Sequence, residues 1–431
     1  MTKPQLFFLG GIAFIIIFFV LLFSGIIPGL QTKQPEAVKA DLSMWGVDSS
    51  DALTNVFATF AIKYPGVRIN YKQFKTREEY DSSLLEAFAS SKSPDIFMIS
   101  DRDFPRFVNK ISPFPSEIFS LLQLKNLFPQ IVEQTFTQKG VVYALPFSID
   151  SLALVYNKDI FNTAGIATPP ETWELFKDII PSLTKKDKTG TILQAGAALG
   201  GSEKSVRNAA DILSALMIQS GTKMVDAGFT RAALASNEGI NALGFYTQFA
   251  DTGKETYTWN NSLPYSIDFF SQGKVAMMFG YLSDIKEIES RNAFLNFGIA
   301  PMPQPKEAAK AVSYPSYAGY AVSRQSQKKS IAWDFIVTSA TDPVTAKTYS
   351  DVLQIPPALN ALIRDALGDV RMSVFARQAL TAKSWPQINA SEITRIFSNL
   401  IETVTTKKAL PKDALPQAES QVNELFTKSA L

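Results

Sequence analysis

The chain has 431 residues, 46% hydrophobic and 19% charged, with 42 basic against 40 acidic side chains. That length exceeds one ordinary core, and near neutrality gives no general attraction to nucleic acid or anionic lipid, so two packed bodies are the starting expectation. Cysteine and histidine are both absent, by drift or by selection. Their absence excludes disulfides, thiolate and imidazole metal sites, thiol nucleophiles and the usual base of serine hydrolases.

Between Pro4 and Thr32 no charged residue occurs, and residues 6–27 are an almost unbroken apolar run. As a helix that run would rise about 33 Å, enough to cross a hydrocarbon core. The alternative is a cleaved secretory signal, whose apolar region is only about 7 to 15 residues and ends at a small-residue cleavage site. No such site closely follows Ile27. The expectation is one uncleaved transmembrane helix in residues 1–30 and a polar linker over 31–39. Lys3, Lys33 and Lys39 give only a weak charge bias, and the long body that follows is expected outside the cytoplasm.

From there strands and helices alternate. Residues 42–47 read as a strand, and Leu53, Val56, Phe57 and Phe60 form one apolar helix face that Tyr64-Pro65-Gly66 stops. Val67, Ile69 and Tyr71 alternate as in a strand. Thr76-Arg77-Glu78-Glu79 reads as a capping box opening a helix, and Ser93-Pro94-Asp95 leads into a third strand at 96–99. This alternation predicts a parallel sheet covered on both faces, with ligand beyond the carboxyl ends of the strands, near residues 47–50 and 100–103. Residues 140–176 then run from a buried strand to Asp150, through a second strand ending Tyr156-Asn157-Lys158, to a proline-punctuated turn and a helix opening at Thr172.

These pieces resemble the extracellular solute-binding proteins of the maltose-binding type. The resemblance is carried by the 140–176 segment, the strand-Trp45-helix unit ending Tyr64-Pro65-Gly66-Val67, and Ser93-Pro94-Asp95-Ile96-Phe97. Further on come Phe269 to Met278, similar to the family's F-x-x-G-x-x-A-M strand, then Gly298-Ile299-Ala300-Pro301-Met302-Pro303. Tyr317-Ala318-Gly319-Tyr320-Ala321-Val322-Ser323 is followed by a helix through Ala332, Trp333, Phe335 and Ile336. No single motif is specific; their order over residues 40–365 is, and the match weakens after about Leu367.

The resemblance implies a two-lobe, periplasmic-binding-protein-like α/β fold with the ligand in an interlobe cleft, here preceded by the transmembrane helix. Lobe 1 is expected over 40–147 and 302–346, and lobe 2 over 148–301 and 347–431. Crossovers fall near 147–150, 298–303 and 347–353, the second supported independently by Pro301, Pro303 and Pro305. Lobe closure on ligand would be a hinge motion.

Sugar sites combine charged groups making paired hydrogen bonds with rings that cover apolar C–H faces. The resemblance implies Asp150 as the acid facing the ligand, with a surface cap as the alternative. Asp101 and Arg102 match a pair that follows the third strand in relatives; Asp103 in a shifted register, or a plain surface ion pair, is the alternative. Asp48 and Ser49 stand where the first loop reaches ligand, or cap the next helix. Tyr281, Tyr317 and Trp385 stand where relatives place rings, whereas Trp45 and Trp173 read as packing residues. Gly200-Gly201-Ser202, before a helix expected at Glu203, presents N–H groups to a ligand or simply reverses the chain.

The implied activity is capture of a carbohydrate of oligosaccharide type for an ATP-binding-cassette permease, by a membrane-held monomer with no cofactor, no metal and no catalysis. Three alternatives stay open at this point: a non-sugar solute such as a peptide, polyamine or polyol phosphate; a glycoside hydrolase using paired carboxylates; and an adhesion or signalling module contacting a protein.

Overall fold

The computed structural model describes residues 3–23 and 38–429. Helix α1 (Lys3–Phe23) occupies the first part of the apolar run. The end of the expected span, 24–27, and residues 31–37 of the linker lie outside the described residues. Side chains of α1 are described for 11–21, and all but Leu21 are exposed. Among the described residues no helix is long and apolar enough to cross a membrane.

The body begins with β1 (Ala40–Gly46), α2 (Ser50–Lys63), β2 (Val67–Gln73), α3 (Arg77–Ala89) and β3 (Ile96–Ser100). Leu53, Val56 and Phe60 of α2 are buried, as their spacing predicts. Thr76 Oγ1 accepts from Glu79 N at 3.2 Å and so fixes the start of α3. Strands β2, β1 and β3 pair in parallel. The sheet is completed by two antiparallel neighbours, β4 (Leu145–Pro146) and a later strand at 318–322, giving five strands in all.

The chain crosses next to Ile149, at β5 (Asp150–Ser151), into a second body. Its sheet is smaller: β6 (Ala153–Asn157) lies between β7 (Met277–Gly280) and β8 (Phe297–Ala300), with both pairs antiparallel. Helices supply the rest, notably α4 (Ala209–Gln219) and α5 (Leu282–Arg291). The chain returns through β9 (Pro315–Ser316), which pairs with β5 across the junction, into β10 (Ala318–Val322) of the first sheet. It continues as α6 (Lys329–Thr341) and α7 (Pro343–Leu353), and near the carboxyl terminus come α8 (Ala390–Thr405) and α9 (Pro411–Ser429).

Two hydrophobic cores follow from this path. The first collects Leu42 to Ile149, Tyr317 to Tyr349, and Ala358, Leu359, Leu362, Ala379 and Ala382. The second collects Leu152 to Met302, Tyr314, Phe375, and Trp385 to Phe426. Two boundaries therefore differ from those expected. Return to the first core comes at 315–316 rather than at 302, because Met302 and Tyr314 are buried in the second core. The third crossover does not fall at 347–353. Ala346 and Tyr349 of α7 pack into the first core, and the chain passes between cores over residues 363–385, beyond the well-matched part of the sequence.

Candidate functional site

Strand β1 ends at Gly46, where a Cβ would sit 2.9 Å from the Tyr71 hydroxyl oxygen. The missing side chain lets Tyr71 donate to the Asp48 carbonyl at 2.8 Å. Asp48 Oδ2 accepts from the Tyr349 hydroxyl at 2.6 Å and also from Tyr320. Burial, and then the Asp48 charge, push both of these phenols well above their usual range. Of the two readings of Ser49, the structure displays the cap: its Oγ accepts from Asp51 N at 3.2 Å. Asp48 is thus tied to three tyrosines belonging to its own lobe.

After β3 the backbone turns through Asp101, Arg102 and Asp103 and meets the second body. Arg102 Nη1 donates to Asp211 Oδ1 and Nη2 to Asp211 Oδ2, both at 2.8 Å, a bidentate pair with 15% and 13% of the two side chains exposed. Arg102 Nη2 also lies 3.3 Å from the Tyr281 hydroxyl and 3.5 Å from the Pro315 carbonyl, and that hydroxyl donates to Asp211 Oδ2 at 2.8 Å. The guanidinium carbon stands 5.3 Å from the Tyr314 ring centre. Burial opposes the charge on Arg102, but Asp211, Tyr314, Tyr281 and Asp101 together outweigh it and hold the group further into its charged form.

Asp101 is buried. Its backbone N–H donates to the Tyr317 carbonyl at 3.0 Å, and its Oδ2 accepts from Ser384 at 3.2 Å. Burial raises its carboxyl to about 6 against the opposing pull of Arg102. Gln387 N donates to the Arg102 carbonyl at 3.0 Å, and Ala390 N, at the start of α8, donates to Asp103 Oδ1 at 3.0 Å. Arg102 and Asp103 therefore hold elements beyond their own lobe, and Asp101 holds the segment that passes between the cores.

Asp150 lies in the crossing strand. Its Oδ1 accepts from Ser151 N at 2.8 Å and its Oδ2 from Leu282 N, the first residue of α5, at 2.9 Å. Burial raises it to about 7, although both backbone N–H bonds favour the charged form. Since Tyr281 directly precedes Leu282, Asp150 adjoins the Arg102 cluster through one peptide unit.

The structure thus gathers Asp101, Arg102, Asp150 and Tyr281 at the junction of the lobes. Tyr317 points elsewhere: its hydroxyl donates to the Ile131 carbonyl and its ring packs edge-on against Phe136 in the first core. Trp385 stacks on Phe397 in the second core, 6.0 Å between centres, with Nε1 3.4 Å from Ser214 Oγ. Both rings are buried. No helix starts at Glu203; a turn there leads to Asn208, at φ 59°, and helix begins at Ala209. The Ser202 N–H is used by Asn261 at 3.0 Å.

Asp211, Tyr314 and Glu203 were not singled out by sequence. Glu203 Oε1 accepts from Ala210 N at 2.8 Å, and burial raises it to about 7. The available signal for Asp211 was an acid in the first turn of an apolar helix, a pattern that ordinarily marks a favourable helix-dipole contact. Among the described residues there is no group of three or more carboxylates able to hold a metal ion.

Comparison with known proteins places this geometry in context. The family model described as bacterial extracellular solute-binding protein matches residues 46–345. The chain is 22% identical to a maltotriose-binding protein of Pyrococcus abyssi over 78% of this chain and 70% of that protein. It is 24% identical to a galactooligosaccharide-binding protein of Bacillus subtilis over 67% of this chain and 66% of that protein. Among solved structures, the sugar-binding protein MalE from Xanthomonas citri superposes with a TM-score of 0.75 at 17% identity, covering 90% of this chain and 98% of that one. At that identity the likeness is one of fold: two α/β lobes joined by crossing strands.

Proposed function

The chain belongs to the bacterial extracellular solute-binding protein family, a family of binding proteins and not of enzymes, and from that premise we propose that it captures a carbohydrate between its lobes and hands it to an ATP-binding-cassette permease. The observation that carries this reading is the junction itself. A carboxylate, a guanidinium and a phenol from both lobes converge on the strands that join them, the chemistry that hydroxyl-rich ligands require. The relatives named for maltotriose and galactooligosaccharide support an oligosaccharide over an amino acid or an ion. Delivery needs no bond made or broken in this chain. The uncharged run between Pro4 and Thr32 supports a membrane anchor, and the long body that follows it would then lie on the outer face.

The test is a thermal-shift and calorimetric screen of the full chain in detergent against maltotriose, a galactooligosaccharide, a polyol, a tripeptide and a polyamine. The expected result is stabilisation by a carbohydrate, about 2.7 kcal/mol at a hundredfold excess over Kd, with the sugar recovered unchanged. Stabilisation by the tripeptide or polyamine alone, or hydrolysis of the sugar, would overturn the reading. For the anchor, the chain should stay in the membrane pellet after alkaline wash; a mature amino terminus near Lys33 would refute it.

A further inference from the structure

We propose that Asp211 positions Arg102 as a clamp between the lobes, so that the closed form is populated before any ligand enters. Arg102 is carried by the turn after β3 of the first sheet, whereas Asp211 and Tyr281 are carried by α4 and by the end of β7 in the second body. The contact is therefore made between two bodies, not within one.

Its chemistry suits a clamp. Both Asp211 oxygens are engaged by the guanidinium, and Tyr281 adds a hydroxyl to one of them. A planar guanidinium matched to a carboxylate holds orientation as well as distance. A buried ion pair alone contributes little, because desolvation offsets attraction. Here Tyr281 and the Pro315 carbonyl satisfy further hydrogen-bonding capacity of the pair, Arg102 Nε alone being buried without a hydrogen-bond partner, and these added bonds favour the closed form. Opening the lobes would separate Arg102 from Asp211 and Tyr281 at once, leaving the Tyr281–Asp211 bond within the second body.

The clamp has two consequences for recognition. A cleft that already samples its closed form loses less affinity to conformational selection, since apparent Kd scales inversely with the competent fraction. It also commits the Arg102 side chain to the protein, so ligand hydroxyls meet the guanidinium only by exchanging with Asp211 or Tyr281. This inference rests on two lobes that hinge, not on which solute is carried.

The absence of cysteine makes the test direct. Lys75→Cys and Glu255→Cys, both exposed and one in each lobe, give a spin-label pair in the full chain, whose distance distribution is measured without ligand. The expected result is a narrow distribution that shifts to longer distance in Asp211→Asn and returns toward the original in the exchanged pair Arg102→Asp with Asp211→Arg. Tyr281→Phe, which removes one hydroxyl, should shift it less in the same direction. Circular dichroism and melting confirm that each variant is folded; if Asp211→Asn is not, Tyr281→Phe decides alone. A ligand-free distribution already broad and long, or one unmoved in the folded variants, would overturn the clamp. Because no ligand is present, failure of the carbohydrate reading would leave this result untouched.

Discussion

Asp48 and Asp211 are both acids beside the junction, both hold phenolic hydroxyls, and neither is fully exposed; they differ in whose groups they hold. Asp48 is tied to Tyr71, Tyr320 and Tyr349, all packed in or against the first core. Asp211 accepts from Tyr281 of its own lobe and from Arg102 of the other. A hinge motion leaves the first set intact and breaks the Arg102 bonds of the second. The number of bonds on a carboxylate does not mark it as structural or functional here; the membership of its partners does.

The largest expected effect that sharpens this contrast is on Asp48→Ala. Removing the acid leaves the buried hydroxyls of Tyr320 and Tyr349 without their acceptor and should cost about 3 kcal/mol of stability, read by chemical denaturation. The interlobe distance of the folded variant should not change. A stability loss confined to ligand affinity, with denaturation unaltered, would place Asp48 in the ligand shell instead.

Asp150 tests the junction by pH. Its folded carboxyl stands near 7, above its unfolded value, so the fold binds more protons than the unfolded chain between about pH 4 and 7. The stability it contributes is complete below the unfolded value and is lost as pH rises through the folded one. Melting temperature should fall between pH 5 and 7.5, and Asp150→Asn should flatten that slope; an equal slope in the variant would assign the dependence to Asp101 and Glu203, which titrate in the same sense. Smallest is Ser49→Ala, which removes the α2 cap and should cost about 1 kcal/mol without altering sugar binding or lobe distance, as a melting curve and a titration would show.

How much of this was legible before folding depends on the range of the interaction. The α2 face, the Tyr64-Pro65-Gly66 stop and the Thr76 cap follow from patterns a few residues long, and the structure places them as read. The Arg102–Asp211 pair joins positions 109 apart in sequence, and no local pattern tells an acid that stabilises a helix start from one that crosses a cleft. Trp385 and Tyr317 illustrate the opposite limit. Aromatic rings in a chain holding 32 Phe, 13 Tyr and 5 Trp are mostly core material, and these two pack inward. The last crossover moved most, since an amphipathic helix such as α7 suits either core, and the packing of Ala346 and Tyr349 with the Tyr349–Asp48 bond decides it.

The direction of β1 has a mechanical consequence for the proposed anchor. The strand starts at Ala40, two residues after the described body begins, and runs toward Asp48 and the junction. A body leashed there through the proposed anchor would be held at the end of β1 opposite the junction. Fourteen residues separate Phe23 from Val38, a length of chain that can span at most about 50 Å. Were residues 3–23 the anchor proposed above, the body would stay within that reach of the bilayer and could serve only a neighbouring permease. Shortening the leash, with the lobes untouched, would leave a receptor that fills normally and delivers poorly.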